Sequence, residues 1–335
     1  MKRAVCVTGG AGFLASSIVK QLLEKGYTVH ATLRNLGDES KVGFLKGLPF
    51  AQENLVLFQA DIYSPDDFKA AIQGCEAVIH LATPFLHNPD SSQYKNTSEA
   101  AVAGVKSIAE SCISSGTVKR LIYTASIVGA SPLKDGTAGN YKESMDETCW
   151  TPLTLSIPYS CDLMMDYTSS KTLAEKQVLK YNGEKLEVVT LACGLVGGDS
   201  LMKSTFPSSI VPLLSQFLKD KLNYQILRFL EELNGKIPIV HVQDVTSAHI
   251  FCMENSAING RFLCASAFLK SFEIATLLQT CHPEIKIDDE FIEDSKREIK
   301  WGSSKLEEAG FEFKYNTQQI LSDSLQCFRR ISNAK

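Results

Sequence analysis

Short apolar, β-branched runs alternate with helical stretches up to about residue 197, and no other feature of the chain limits its fold as strongly. "RAVCVTG" (3–9) precedes "FLASSIVKQLLEKG" (13–26), where Leu14, Ile18, Leu22 and Leu23 share one helical face and Gly26 ends the helix. "YTVHATLR" (27–34), "NLVLFQADI" (54–62), "EAVIHLAT" (76–83), "VKRLIYTAS" (118–126) and "LEVVTLACG" (186–194) read as further strands. Helical stretches near "SPDDFKAAIQG", over 97–115 and around "YTSSK" lie between them. The strands are continuous apolar runs, as expected where both faces of a sheet are covered. Strand–helix–strand order of this kind predicts an α/β fold with a doubly wound parallel sheet.

The pattern changes after 197. Residues 198–236 are helical and loop-like, "KIPIVHV" (236–242) and "GRFLCAS" (260–266) return to strand character, and 271–333 is mostly helical. The expected organisation is a dinucleotide-binding domain over 1–197 that also uses 236–266, with a smaller, mostly helical cap from 198–235 and 267–335. A net charge of −4 with dispersed Lys and Arg offers no basic field for nucleic acid or an anionic membrane. No apolar run approaches the roughly 20 residues of a membrane span, and strand character from residue 3 leaves no room for a secretory leader. The ten cysteines include no CxxC pair, and several sit in apolar runs, which suggests reduced, buried thiols in a cytoplasmic protein. The histidines never fall at ligand spacing, so no metal is expected. A monomer or weak dimer is expected.

"VTGGAGFLAS" (7–16) lies where a strand ends and a helix begins. Gly9 permits the tight turn, Gly12 lets the backbone approach a pyrophosphate at the helix N-terminus, and Ala15 lets helix and strand pack closely. A nicotinamide dinucleotide is the ligand implied. An NAD site usually carries an acid about 20 residues further on for the ribose 2′-hydroxyl. Here that stretch reads "ATLRN": Arg34 suits a 2′-phosphate, Lys41 adds a second positive charge, and NADPH (NADP+) is the expected cofactor.

Ser126 ends the "RLIYTAS" strand, at the edge where ligands of open parallel sheets bind. Tyr167 and Lys171 in "YTSSK" stand one helical turn apart. A phenol with an ordinary pKa near 10 needs a neighbouring ammonium to lower it. Lys171 supplies that charge and can hold the nicotinamide ribose. Ser126 hydrogen-bonds the substrate oxygen, and Tyr167 protonates the alkoxide that forms as hydride reaches a carbonyl carbon. His80, His241 and Asp244 read as structural, Asp244 as a helix N-cap.

This constellation resembles the extended short-chain dehydrogenase/reductase family, which has a Rossmann sheet. "TGGAGFLAS", "HLATP" (80–84), "DETCW" (146–150), "YTSSKTLAEK" (167–176), "HVQDV" (241–245) with "AHIF" (248–251), and "GFEFKY" (310–315) are similar to the plant dihydroflavonol, anthocyanidin and vestitone reductase group. The resemblance implies that Gly9, Gly12, Phe13, Leu14, Arg34, Lys41, Asp61, Ile62, Ala82, Thr83, Tyr167 and Lys171 meet the cofactor, with Asp61 and Ile62 beside the adenine. It also implies a flavonoid-sized substrate pocket touched by Ser126, Ser131 and Tyr167. The stretch 131–150, with its "DGT", looks closer to anthocyanidin reductases. Ser131 stands where dihydroflavonol reductases commonly have an asparagine that meets the flavonoid B ring. In "LACGLVGG" (191–198), Cys193 and Gly198 replace the usual prolines, and Ala125 replaces one of a strand-end serine pair. The function expected is NADPH-dependent reduction of a flavonoid-like or other plant phenolic small molecule. The alternatives are a ketone or hemiacetal oxidoreductase of another specialised pathway, and a non-catalytic NADP(H)-sensing regulator. An epimerase is disfavoured by Arg34, and a regulator by the retained Tyr–Lys pair.

Overall fold

The computed structural model describes residues 3–84, 87, 93–202, 205–295 and 297–333. Its strands, in chain order, are β1 (Ala4–Thr8), β2 (Thr28–Leu33), β3 (Leu55–Gln59), β4 (Ala77–His80), β5 (Arg120–Ser126), β6 (Ser144–Met145), β7 (Glu187–Cys193), β8 (Leu195–Gly197), β9 (Ile237–His241), β10 (Gly260–Cys264), β11 (Ala267–Leu269) and β12 (Lys300–Trp301). The helices are α1 (Phe13–Glu24), α2 (Glu39–Lys46), α3 (Ala51–Asn54), α4 (Phe68–Ile72), α5 (Thr97–Ser115), α6 (Asp162–Leu179), α7 (Ile210–Leu218), α8 (Lys221–Asn234), α9 (Val242–Glu254), α10 (Ser271–Cys281), α11 (Lys305–Glu308) and α12 (Thr317–Asn333). The chain forms two compact units. One takes residues up to Ala125 with Ser169–Leu191 and Thr246–Phe262, and the other takes Ser126–Thr168, Ala192–Val245 and Leu263–Lys335.

The first unit is built on the seven-stranded sheet, ordered β10-β7-β5-β4-β1-β2-β3. The pairings β3–β2, β2–β1, β1–β4 and β4–β5 are all parallel. The chain winds outward from β1 to β3 and then returns to β4 on the other side of β1. That reversal is the switch point at which open α/β sheets bind ligands. Val5, Val7, Val29, Ile79 and Leu121 are fully buried, as are Ile18 and Leu22 of the predicted apolar face of α1. Burying side chains of this size contributes about 1.5–3 kcal/mol each. Helix α5 begins and ends where the sequence predicts. Asn96 caps its N-terminus by accepting from Glu99 N, and Gly116 takes a left-handed φ of 69° at its end.

The second unit has a three-stranded sheet, β11-β9-β8, with β9 parallel to β8 and antiparallel to β11. Glycines let β8 sit tightly. A Cβ on Gly197 would lie 2.7 Å from Ile320 and Ser324, and one on Gly198 would lie 2.5 Å from the His241 ring. Gly198 also has φ +106° and donates its N–H to Ser324 Oγ at 2.7 Å. A proline could meet neither condition. Asp244 is not a helix N-cap as expected. It lies in the first turn of α9, and its carboxylate accepts from Lys314 N and Tyr315 N at 3.0 and 3.1 Å. His241 stacks on Tyr315, with centroids 3.8 Å apart. Two of the similarity motifs are thus stitched to each other by backbone-directed bonds.

The units divide the chain differently from the expected domains. Residues 126–168 belong to the second unit, and β9 joins its small sheet, whereas β10 is the edge of the large one. Strand character in a sequence does not say which sheet a strand joins. Eight of the ten cysteines are buried and Cys161 is exposed. Among the described residues, no helix is long and apolar enough to cross a membrane.

Candidate active site

Because β1 to β5 run parallel, their C-terminal ends lie along one edge of the sheet. Gly9 follows β1, Arg34 follows β2, Asp61 and Ile62 follow β3, Ala82 and Thr83 follow β4, and Ser126 ends β5. Sequence-predicted residues from five strands are therefore collected at the edge that binds ligands in such sheets.

The glycine loop is held from β2. Gly9 N donates to Thr32 Oγ1 at 3.1 Å and Gly10 N to Thr32 O at 2.8 Å. Gly9 needs its freedom, with φ at +68°, and a Cβ there would stand 3.5 Å from Ala82. Gly12 has an ordinary φ of −73° and is exposed, so what it contributes is the absence of a side chain. A Cβ on Gly12 would meet Gly9 O at 3.2 Å. Phe13 and Leu14 follow at the start of α1, half-buried, with no acid in the first turn. The free N–H groups of that turn and the helix dipole favour an anion. These residues fit a dinucleotide's pyrophosphate.

Arg34 is exposed. Lys41 pairs with Asp38 at 2.9 Å, which neutralises part of the charge assigned to it. The Asp61 carboxylate accepts from Tyr63 N at 3.0 Å. Ile62 is 7% exposed, and Gly104 makes room for it: a Cβ there would clash with Ile62 Cδ1 at 2.4 Å.

Beyond β4, Thr8 organises the backbone in a way the sequence reading missed. Its Oγ1 accepts from Leu81 N (2.9 Å) and Ala82 N (3.0 Å) and lies 2.8 Å from His80 Nδ1. With two N–H groups donating to it, the hydroxyl gives its proton to Nδ1, and His80 carries hydrogen on Nε2. Burial, and then the Lys171 charge, push the His80 pKa down to about 3. His80 is a neutral structural residue, as expected.

Lys171 is 5% exposed. Its ammonium donates to Thr83 Oγ1 at 2.9 Å and Thr124 O at 3.0 Å, and it lies 5.2 Å from the centroid of the Tyr123 ring. In the second unit, the Tyr167 phenol is hydrogen-bonded to Ser126. Burial raises the Tyr167 pKa above its ordinary value, the Ser126 bond offsets part of this, and the neighbouring Cys193 thiol adds to it. Burial dominates, and the group stays protonated at neutral pH.

Ser131 is placed differently from the expectation of a substrate contact. It is 1% exposed, its hydroxyl donates to the Leu233 carbonyl, and it accepts from Leu133 N at 3.1 Å. The hydroxyl is thus occupied within the fold. Ser209 Oγ donates to Val196 O at 2.7 Å. Cys149 is buried, which raises its pKa despite Lys142 Nζ at 3.8 Å. Glu175, which the sequence reading passed over, is fully buried one turn beyond Lys171. Its only signal was its place in "YTSSKTLAE", on the face shared by Tyr167 and Lys171.

Residues 5–265 match the NAD dependent epimerase/dehydratase family. The chain is 36% identical over 327 residues to a putative anthocyanidin reductase of Ginkgo biloba, covering 96% of this chain and 93% of that one. It is 37% identical over 340 residues to vestitone reductase of Medicago sativa, covering 97% of each. The crystal structure of alfalfa vestitone reductase superposes with a TM-score of 0.76 at 34% identity, over 99% of both chains. A yeast methylglyoxal/isovaleraldehyde reductase complexed with NADPH shares the fold at a TM-score of 0.77, with 21% identity over 99% of this chain and 98% of that one. The family match and these near full-length relatives show that the chain belongs to the NAD dependent epimerase/dehydratase family, as an NAD(P)H-dependent oxidoreductase of the extended short-chain dehydrogenase/reductase type within the anthocyanidin, vestitone and dihydroflavonol reductase group.

Proposed function

We propose that the protein is an NADPH-preferring reductase of a flavonoid-like or other plant phenolic substrate, with Tyr167 as proton donor. The observation that carries this reading is the hydrogen bond between the Tyr167 phenol and the strand-end Ser126. A reductase needs a donor that is loaded before the reaction begins, and this one is loaded across neutral pH. When bound, the nicotinamide supplies the hydride. Ser126 orients the substrate oxygen beside Tyr167, and the phenolic O–H moves its proton to that oxygen as negative charge develops there. Lys171, fixed on Thr83 and Thr124, holds positive charge one turn from the phenol and favours the phenolate left behind. Gly9, Gly12, Phe13 and Leu14 would hold the pyrophosphate, with Asp61 and Ile62 beside the adenine and Ala82 and Thr83 beneath the dinucleotide. Arg34, at the end of β2 where an acid would favour NADH, would meet the 2′-phosphate.

A second reading has one observation in its favour. Cys193, where the similar group has proline, lies close enough to Tyr167 to influence its proton. A ketone or hemiacetal of another specialised pathway is the substrate that such a changed wall would admit.

The test is a substrate panel of anthocyanidins, dihydroflavonols, isoflavanones and aryl ketones, with NADPH and NADH oxidation followed in parallel for wild type and Arg34→Asp. Turnover of a phenolic class with NADPH preferred is expected, and the preference should fall about tenfold or more in the variant. An unchanged preference would move 2′-phosphate recognition away from Arg34. Turnover of aryl ketones alone would favour the second reading.

A further inference from the structure

Helix α6 carries both Lys171 and Tyr167, yet little apolar packing holds the part of it that lies in the first unit. Six of its residues there are buried: Ser170, Lys171, Thr172, Ala174, Glu175 and Val178. Only Ala174 and Val178 are apolar. Apolar contact is non-directional, and so few groups cannot by themselves fix how far the helix sits along the sheet. Directional bonds must do this.

Glu175 makes charge-assisted bonds of this kind. It is fully buried, and its Oε1 accepts from Thr190 Oγ1 on β7 at 2.7 Å and from Arg261 Nε on β10 at 2.9 Å. Its Oε2 accepts from Arg261 Nη2 at 3.2 Å. Arg261 is itself 7% exposed. A two-toothed guanidinium–carboxylate pair fixes direction as well as distance. Burying such a pair stabilises a fold no more than apolar packing would, so what the pair adds is geometry. One turn before it, Lys171 must reach two oxygens at once, Thr83 Oγ1 in the segment after β4 and Thr124 O on β5.

We propose that Glu175, through its pair with Arg261, is a positioning residue that sets the register of α6 and so the placement of the Lys171 ammonium. The proposal rests on the cofactor role given to Lys171. It predicts that disturbing Glu175 acts through Lys171, which a merely structural role would not require.

The experiment is a double-mutant cycle read as NADPH affinity by cofactor fluorescence, on the full chain. Glu175→Asp keeps the charge and shortens the reach by one methylene. It is expected to weaken NADPH about tenfold in the wild-type background and less than about threefold in Lys171→Met. Equal losses in both backgrounds, or no loss in a folded Glu175→Asp, would overturn the proposal. Where Glu175→Asp does not fold, Glu175→Leu with Arg261→Leu replaces it, with the same two outcomes decisive, because apolar replacement of a buried pair is often tolerated. Wild-type NADPH affinity in Lys171→Met alone would instead sink the cofactor role of Lys171. The two failures are thereby distinguishable.

Discussion

Thr8 Oγ1 shows how much of the site depends on groups that carry no chemistry. It fixes the backbone of Leu81 and Ala82 and commits His80 to its neutral form. With the folded pKa near 3 and an unfolded value near 6.5, the unfolded chain binds more protons than the native one between those limits. Stability is therefore full above about pH 6.5 and is lost as pH falls toward 3, by up to about 1.4 kcal/mol per pH unit. Thermal melts from pH 7 to 4 should show His80→Gln losing less stability on acidification than wild type. Equal acid slopes would mean that His80 is not buried neutral. The tyrosine, lysine, strand-end serine and loop glycines were legible because their spacing is local. The engagement of Ser131 was not, since the Leu233 carbonyl reaches it only once the chain folds.

At the level of elements, strands and helices of the first unit were legible where local signals agree. The Asn96 cap and the left-handed Gly116 bound α5 without help from tertiary structure. The departure in "LACGLVGG" was visible in the sequence, but its meaning was not. Gly198 is required by the His241 ring and by its own backbone conformation, so β8 and β9 are fitted to each other there. Gly198→Ala should cost roughly 2–4 kcal/mol through positive φ and overpacking. A melting temperature within a degree or so of wild type would contradict that account. Helix α6 was recognised by Tyr167 and Lys171, one turn apart in the sequence, while the buried Glu175–Arg261 pair required the fold to bring Arg261 to Glu175.

For the whole molecule, alternation of apolar runs and helices was enough to predict the doubly wound sheet, because a parallel sheet imposes that order. The division into units was not legible. The chain passes from one to the other at Ser126, Ser169, Ala192, Thr246 and Leu263, several of these within a strand or helix, where composition gives no sign. The central claim is that Tyr167 gives the proton on this scaffold. Its most direct test is single-turnover NADPH oxidation by Tyr167→Phe, with NADPH affinity measured on the same preparation. The account predicts a rate lowered about a hundredfold to ten-thousandfold with affinity held within a few-fold. A rate close to wild type would contradict it.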